Sequence, residues 1–184
     1  MARVLVTGGT GFLGYSIANH LVGKGLTVRV TSRESKKPSA KLDGHVEFFG
    51  GFDLSAETDW FEALKDVDYV VHCAARVHVL NETSDNPKDL FNSQNFLGTK
   101  RLAEQAAECG ISRFVFISSI GVNGNVTHEH PFTPEDTPAP TTPYASSKRL
   151  AEAALLDVSN EYSMETVSIR PPLIYGKNAP GNFV

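Results

Sequence analysis

A β-forming run, Arg3–Thr7, passes straight into Thr7-Gly-Gly-Thr-Gly-Phe-Leu-Gly14, and a helical pattern follows over 12–24. Glycines at that junction leave few folds open. Gly8 suits a tight turn, Gly11 lets the backbone approach a pyrophosphate, and Gly14 permits close helix packing. The helix N-terminus then offers N–H donors and a positive dipole to an anion. The spacing is G-x-x-G-x-x-G rather than G-x-G-x-x-G, and a plain glycine-rich turn is the competing reading.

The rest of the chain repeats the alternation. Further β-rich runs occur at 27–31, 45–49, 69–73, 113–118 and 166–170, with helical patterns at 57–65, 88–109 and 143–161. Most of these runs are apolar nearly throughout, as strands covered on both faces must be. Strand-helix alternation of this kind predicts an α/β fold, a doubly wound parallel sheet of Rossmann type. Its expected extent is 1–176, with 177–184 as the start of a truncated C-terminal substrate region. A chain of 184 residues is long enough for one such domain. Pro131, Pro134, Pro138, Pro140 and Pro143 mark an extended approach to the last helix, not a linker between domains.

Composition excludes some partners. A net charge of -4 gives no electrostatic reason to expect nucleic acid or an anionic membrane. With two cysteines, no apolar run of about 20 residues and no room for a signal peptide before Arg3, the expected setting is cytoplasmic. The six histidines show no metal-ligand spacing, so no metal is expected.

Chemistry concentrates in Tyr144-Ala-Ser-Ser-Lys148. Four residues apart on a helix, the phenol and the ammonium share one face. The ammonium is expected to favour the phenolate, so that Tyr144 exchanges protons below its ordinary pKa of about 10. Ser119 ends the fifth strand, where its hydroxyl either holds a substrate oxygen or caps its own loop. At the end of the second strand no acid stands before Glu34. Arg33, with Lys36 and Lys37 beyond, either meets a 2′-phosphate or is a solvated basic loop, which leans the cofactor toward NADP over NAD. Asp53, beside Leu54, either accepts from an adenine amino group or caps the helix that follows. The small residues Ala74 and Ala75, after His72, would let a cofactor pass close, and His72 itself reads as a core histidine.

These motifs, with Asn95-Phe-Leu-Gly-Thr99, Phe116-Ile-Ser-Ser119 and Arg170-Pro171, resemble the extended short-chain dehydrogenase/reductase family. Its NAD-dependent nucleotide-sugar epimerase/dehydratase branch is the nearest in motif order, over nearly the whole chain. The resemblance implies a catalytic set of Ser119, Tyr144 and Lys148. It also implies cofactor contacts at Gly8, Thr10, Gly11, Phe12, Leu13, Arg33, Asp53, Leu54, Ala74, Ala75, Asn95 and Lys148, with Lys148 on the nicotinamide ribose. A nucleotide sugar is the expected substrate, and a homodimer the expected assembly. Two departures narrow the expectation. Sugar 4,6-dehydratases carry an Asp-Glu pair where this chain has Ile120-Gly121, and Leu173 stands where a substrate-binding asparagine is common. Bacterial polysaccharide-pathway epimerases and 4-ketosugar reductases fit best. A ketone reductase of the dihydroflavonol or hydroxysteroid type comes next, and then a catalytically silent dinucleotide sensor.

Overall fold

The computed structural model describes residues 1–35, 46–77, 86–127, 129–176 and 179. Lys36, Lys37, His45 and nearly all of the 177–184 tail lie outside the described residues. Six parallel strands form one sheet in the order β3-β2-β1-β4-β5-β6. They are β1 (Arg3–Thr7), β2 (Thr27–Ser32), β3 (Val46–Gly50), β4 (Tyr69–His72), β5 (Arg113–Ile117) and β6 (Glu165–Ile169). The alternation in the sequence is thus a doubly wound Rossmann-type sheet, with strand ends within about a residue of expectation.

Alternation along each strand sorts the core into two layers. Val4 and Val6, with Val28, Val30 and Val46 beside them, face α1 (Phe12–Gly23) through Ala18. Leu5, Val70, Phe114 and Phe116 face the other way, against α2 (Phe61–Leu64), α4 (Thr99–Glu108) and α5 (Pro143–Glu161). Leu5, Phe114 and Phe116 are fully buried, and each such side chain contributes about 1.5–3 kcal/mol. Among the described residues, no helix is long and apolar enough to cross a membrane.

The expected helix over 57–65 is shorter. Ser55 Oγ accepts from Glu57 N and bonds Thr58 Oγ1, which holds a separate turn ahead of α2. Arg29 closes the other end. This buried arginine of β2 donates through Nη1 to the carbonyls of Glu62, Ala63 and Lys65, while Nε and Nη2 pair with Glu47.

The expected helix over 88–109 is continuous but not uniform. It runs as α3 (Pro87–Phe91), a π-helical segment (Asn92–Gly98) and α4. By contrast, α5 spans the expected residues. Pro143 occupies its first turn, and Thr142 Oγ1 accepts from Ala145 N as the N-cap.

Candidate functional site

The glycine loop makes the tight turn and the close helix contact that its spacing predicts. Gly8 has φ +63°, and a side chain there would meet the Ala74 backbone at 2.9 Å. A methyl on Gly14 would lie 2.9 Å from the Gly8 carbonyl carbon and overlap the oxygen, so α1 packs directly on the loop. A methyl on Gly11 meets only the Gly8 carbonyl oxygen, at 3.3 Å. The loop is stitched to β2: Gly9 N donates to the Thr31 carbonyl, and Thr10 Oγ1 donates to Ser32 Oγ at 3.2 Å.

Beyond this loop lies a cleft of about 530 Å³ at the carboxyl ends of the strands. Gly8, Thr10 and Gly11 form one wall, Arg33 and Asp53 with Leu54 another, and Ala74 and Ala75 a third. Phe12 and Leu13 do not line it. They belong to the open first turn of α1, whose N–H groups lack intrahelical acceptors. Phe12 points its ring toward Gly176 instead, 3.6 Å from where a Cβ on that glycine would stand. Asp53 does not cap α2 through its carboxylate; its carbonyl accepts from Thr58 Oγ1. Phe52, Trp60 and Gln94 also line the cleft, and Phe52 stacks on Trp60 with ring centroids 5.2 Å apart. Sequence reasoning did not reach these three. The signal available was a lone tryptophan in a polar stretch beside the adenine candidate.

Asn95 is buried and lies off the cleft wall. Its Oδ1 accepts from Arg76 N at 2.7 Å, and its Nδ2 donates to the Arg76 carbonyl and to Ser147 Oγ. Ser147 Oγ in turn donates to the Tyr144 carbonyl. The π-helical segment, a form that often occurs at functional sites, therefore ties the loop after β4 to the first turn of α5. His72 is a satisfied core histidine between Thr7 Oγ1, at 2.6 Å, and Thr99 Oγ1, at 2.9 Å. Burial, helped by Lys148, lowers its pKa to about 3.

Tyr144 and Lys148 share one face of α5, with the Lys148 Nζ 5.8 Å from the centroid of the phenol ring. Lys148 is almost wholly buried. It lies over the Phe116 ring and donates to the Ile117 carbonyl at 2.8 Å. Burial lowers its pKa to about 8, against upward contributions from Cys73 and Glu152. The expectation for Tyr144 is corrected: burial raises its pKa, and the Lys148 ammonium is engaged with the Ile117 carbonyl. Ser119 Oγ accepts from Gly121 N at 3.2 Å, which is the capping role. Gly121 also packs on Ala145, so the Ser119 hydroxyl sits beside the start of α5.

These residues fit a dinucleotide. A positive-φ glycine and an open helix N-terminus can receive phosphates. A half-polar cleft continues from there toward β2 and β3, and a tyrosine with a buried lysine stands on α5.

Residues 4–184 match the NAD dependent epimerase/dehydratase family. The chain is 39% identical over 181 residues to UDP-glucose 4-epimerase of Vibrio cholerae, covering 98% of this chain and 54% of that protein. It is 33% identical over 185 residues to human sterol-4-alpha-carboxylate 3-dehydrogenase, covering 97% and 46%. The UDP-glucose 4-epimerase of Thermus thermophilus, solved in complex with NAD, superposes with a TM-score of 0.79 at 32% identity, over 91% of this chain and 54% of that one. The chain thus spans about half the length of the relatives it matches. Sheet order, glycine loop and these matches agree, and the chain belongs to the NAD dependent epimerase/dehydratase family.

Proposed function

We propose that this chain is the cofactor-binding part of an enzyme that interconverts an alcohol and a ketone at C4 of a nucleoside-diphosphate sugar, as an epimerase or a 4-keto reductase. The observation that carries the reading is the pairing of Tyr144 with a buried Lys148 on one face of α5, next to the glycine-loop cleft. The Vibrio relative, named for UDP-glucose 4-epimerase activity, supports the substrate class.

A bound nicotinamide supplies the acceptor and donor of hydride. The chain's own residues do the remainder. Gly8, Thr10, Gly11 and the first turn of α1 hold the phosphates. Asp53 and Leu54 flank the adenine, and Ala74 and Ala75 let the ribose pass. Tyr144 takes the proton of the sugar hydroxyl or returns it to the ketone. Lys148 favours the phenolate once the two draw together, and it anchors the ribose. Ser119, whose Oγ accepts from Gly121 N, keeps its O–H to donate to the reacting oxygen. NAD is supported by the NAD-bound Thermus relative. The exposed Arg33 at the cleft rim is the residue that would admit the extra phosphate of NADP.

The second reading is a ketone reductase. It is favoured by the sterol dehydrogenase relatives and by Leu173, which stands where epimerases commonly have a substrate-binding asparagine. The test is incubation of the whole gene product with NAD and UDP-galactose, followed by separation of the C4 epimers. Epimer without net change in free cofactor supports the first reading. Stoichiometric use of reduced cofactor on ketones supports the second. No turnover of either class sinks both.

A further inference from the structure

Two consecutive residues at the end of β5 grip two consecutive turns of α5. The Ile117 carbonyl accepts from Lys148 Nζ at 2.8 Å, and the Ser118 hydroxyl donates to Glu152 Oε1 at 2.5 Å. Lys148 and Glu152 are four residues apart and stack on one face. Arg170, just past β6, holds the same carboxylate from the other side. Its Nε donates to Oε1 and Oε2 at 3.0 and 3.2 Å, and its Nη2 donates to Oε2 at 2.7 Å. Its Nη1 donates to Asn123 Oδ1, and Asn123 Nδ2 donates to the Thr133 carbonyl. The Glu152 side chain is 11% exposed and that of Arg170 20%. Asn123 and Arg170 also wall a second cavity, of about 330 Å³, with Phe132 and Thr133.

We propose that Glu152 is a positioning residue for Ser119, Tyr144 and Lys148, holding Ser118 and Arg170 on one carboxylate and so setting α5 against the ends of β5 and β6. The inference rests on the reading of Tyr144 and Lys148 as the proton-transfer pair. Ile117, Ser118 and Ser119 each engage a different partner: Lys148, Glu152 and Gly121 N. A slip at the middle contact therefore moves the Ser119 hydroxyl relative to Tyr144. Misplacement by about 1 Å is enough to cost a large factor in rate.

Glu152 has an electrostatic effect as well. The groups that face the Lys148 ammonium are Tyr144 and Glu152 from α5, His72 at the end of β4 with Cys73 just after it, and the Phe116 ring and Ile117 carbonyl from β5. His72 is neutral, and burial pushes the Cys73 thiol up to about 12, so near neutral pH the carboxylate of Glu152 is the anion in this set. Removing it favours the neutral amine, and Lys148 then loses its proton at a lower pH.

The test compares Glu152→Gln and Glu152→Asp in the whole gene product. Four quantities are read: kcat, KM for cofactor, the alkaline limb of the pH–rate profile, and the Lys148 Nζ titration by NMR. Glu152→Gln is expected to lower kcat by about tenfold to a hundredfold, leave the cofactor KM nearly unchanged, and move the alkaline limb and the Nζ titration to lower pH. Glu152→Asp keeps the charge but shortens the reach. It is expected to restore both titrations and only part of kcat. Parental kcat and unmoved titrations in Glu152→Gln, with only a lower melting temperature, would make the pair structural and overturn the proposal. Should Glu152→Gln not fold, full kcat in Glu152→Asp overturns it. Absence of turnover in the unsubstituted protein instead defeats the proton-transfer reading. The Nζ titration still decides for Glu152 in that case, and an unmoved titration overturns it.

Discussion

Gly14 sits so close to Gly8 that a methyl group on the first would overlap the carbonyl oxygen of the second. The neighbour is backbone and cannot swing aside, so Gly14→Ala must push α1 off the loop. The expected loss is about 1–3 kcal/mol of stability, the usual range for overpacking, together with weaker dinucleotide binding. Gly11→Ala meets that oxygen at 3.3 Å, a tight contact but no overlap, and is expected to cost less stability than Gly14→Ala. Gly11→Val reaches into the phosphate path and is expected to weaken binding about tenfold or more. Thermal melts with NAD titrations separate these cases. Unchanged affinity in Gly11→Val would mean that the loop is structural only.

Tyr144→Phe removes the proton-carrying hydroxyl and little else. Turnover is expected to drop by about 10²–10⁴-fold with cofactor affinity retained. Lys148→Ala is expected to do at least as much damage and to weaken cofactor binding too. The Lys148 pKa is lowered to about 8, so turnover that needs its ammonium falls as pH rises through that value. Near-normal kcat in Tyr144→Phe on each nucleotide sugar the parent accepts would remove the tyrosine from the chemistry.

Cofactor choice is expected to respond at the rim of the cleft. If Arg33 meets a 2′-phosphate, Arg33→Ala weakens NADP binding by roughly 1–3 kcal/mol and spares NAD. Equal losses for both cofactors, or none, would exclude an NADP preference.

His72 gives the fold an acid sensitivity of known sign. Its pKa is about 3 when folded, against an ordinary 6.5. Between those values the unfolded chain binds the extra proton, so this residue's contribution to stability is lost as pH falls from about 6.5 toward 3. His72→Gln is expected to be less stable at neutral pH, because it disturbs the bonds to Thr7 and Thr99, yet to have a flatter pH dependence across that window. Parallel melting curves for the two proteins would refute the assignment.

Much of the fold was legible because its determinants are local. Apolar β-branched runs mark most of the strands, although β6 stands largely exposed, Val167 and Ile169 included. Thr142 and Pro143 begin α5 where capping chemistry requires. The glycine spacing specified a turn, an open helix end and a close packing contact without reference to anything distant. The four-residue spacing of Tyr144 and Lys148 likewise fixed their common face.

Tertiary structure decided what no window of sequence contains. Arg29 in an apolar strand finds the carbonyls at the end of α2, a helix remote along the chain. Asn95 enters a π-helical segment bonded to Arg76 and Ser147 rather than the cleft wall. Phe12 and Leu13 lie within the glycine motif, yet neither lines the cleft. The proton affinities were the least legible of all. Spacing says that Lys148 is near Tyr144, but burial raises one pKa and lowers the other, and burial is set by Phe116, Ile117 and Cys73 converging from neighbouring strands. Periodicity reports which side of an element faces inward; the depth of that interior, and the charges that share it, exist only once the strands have assembled.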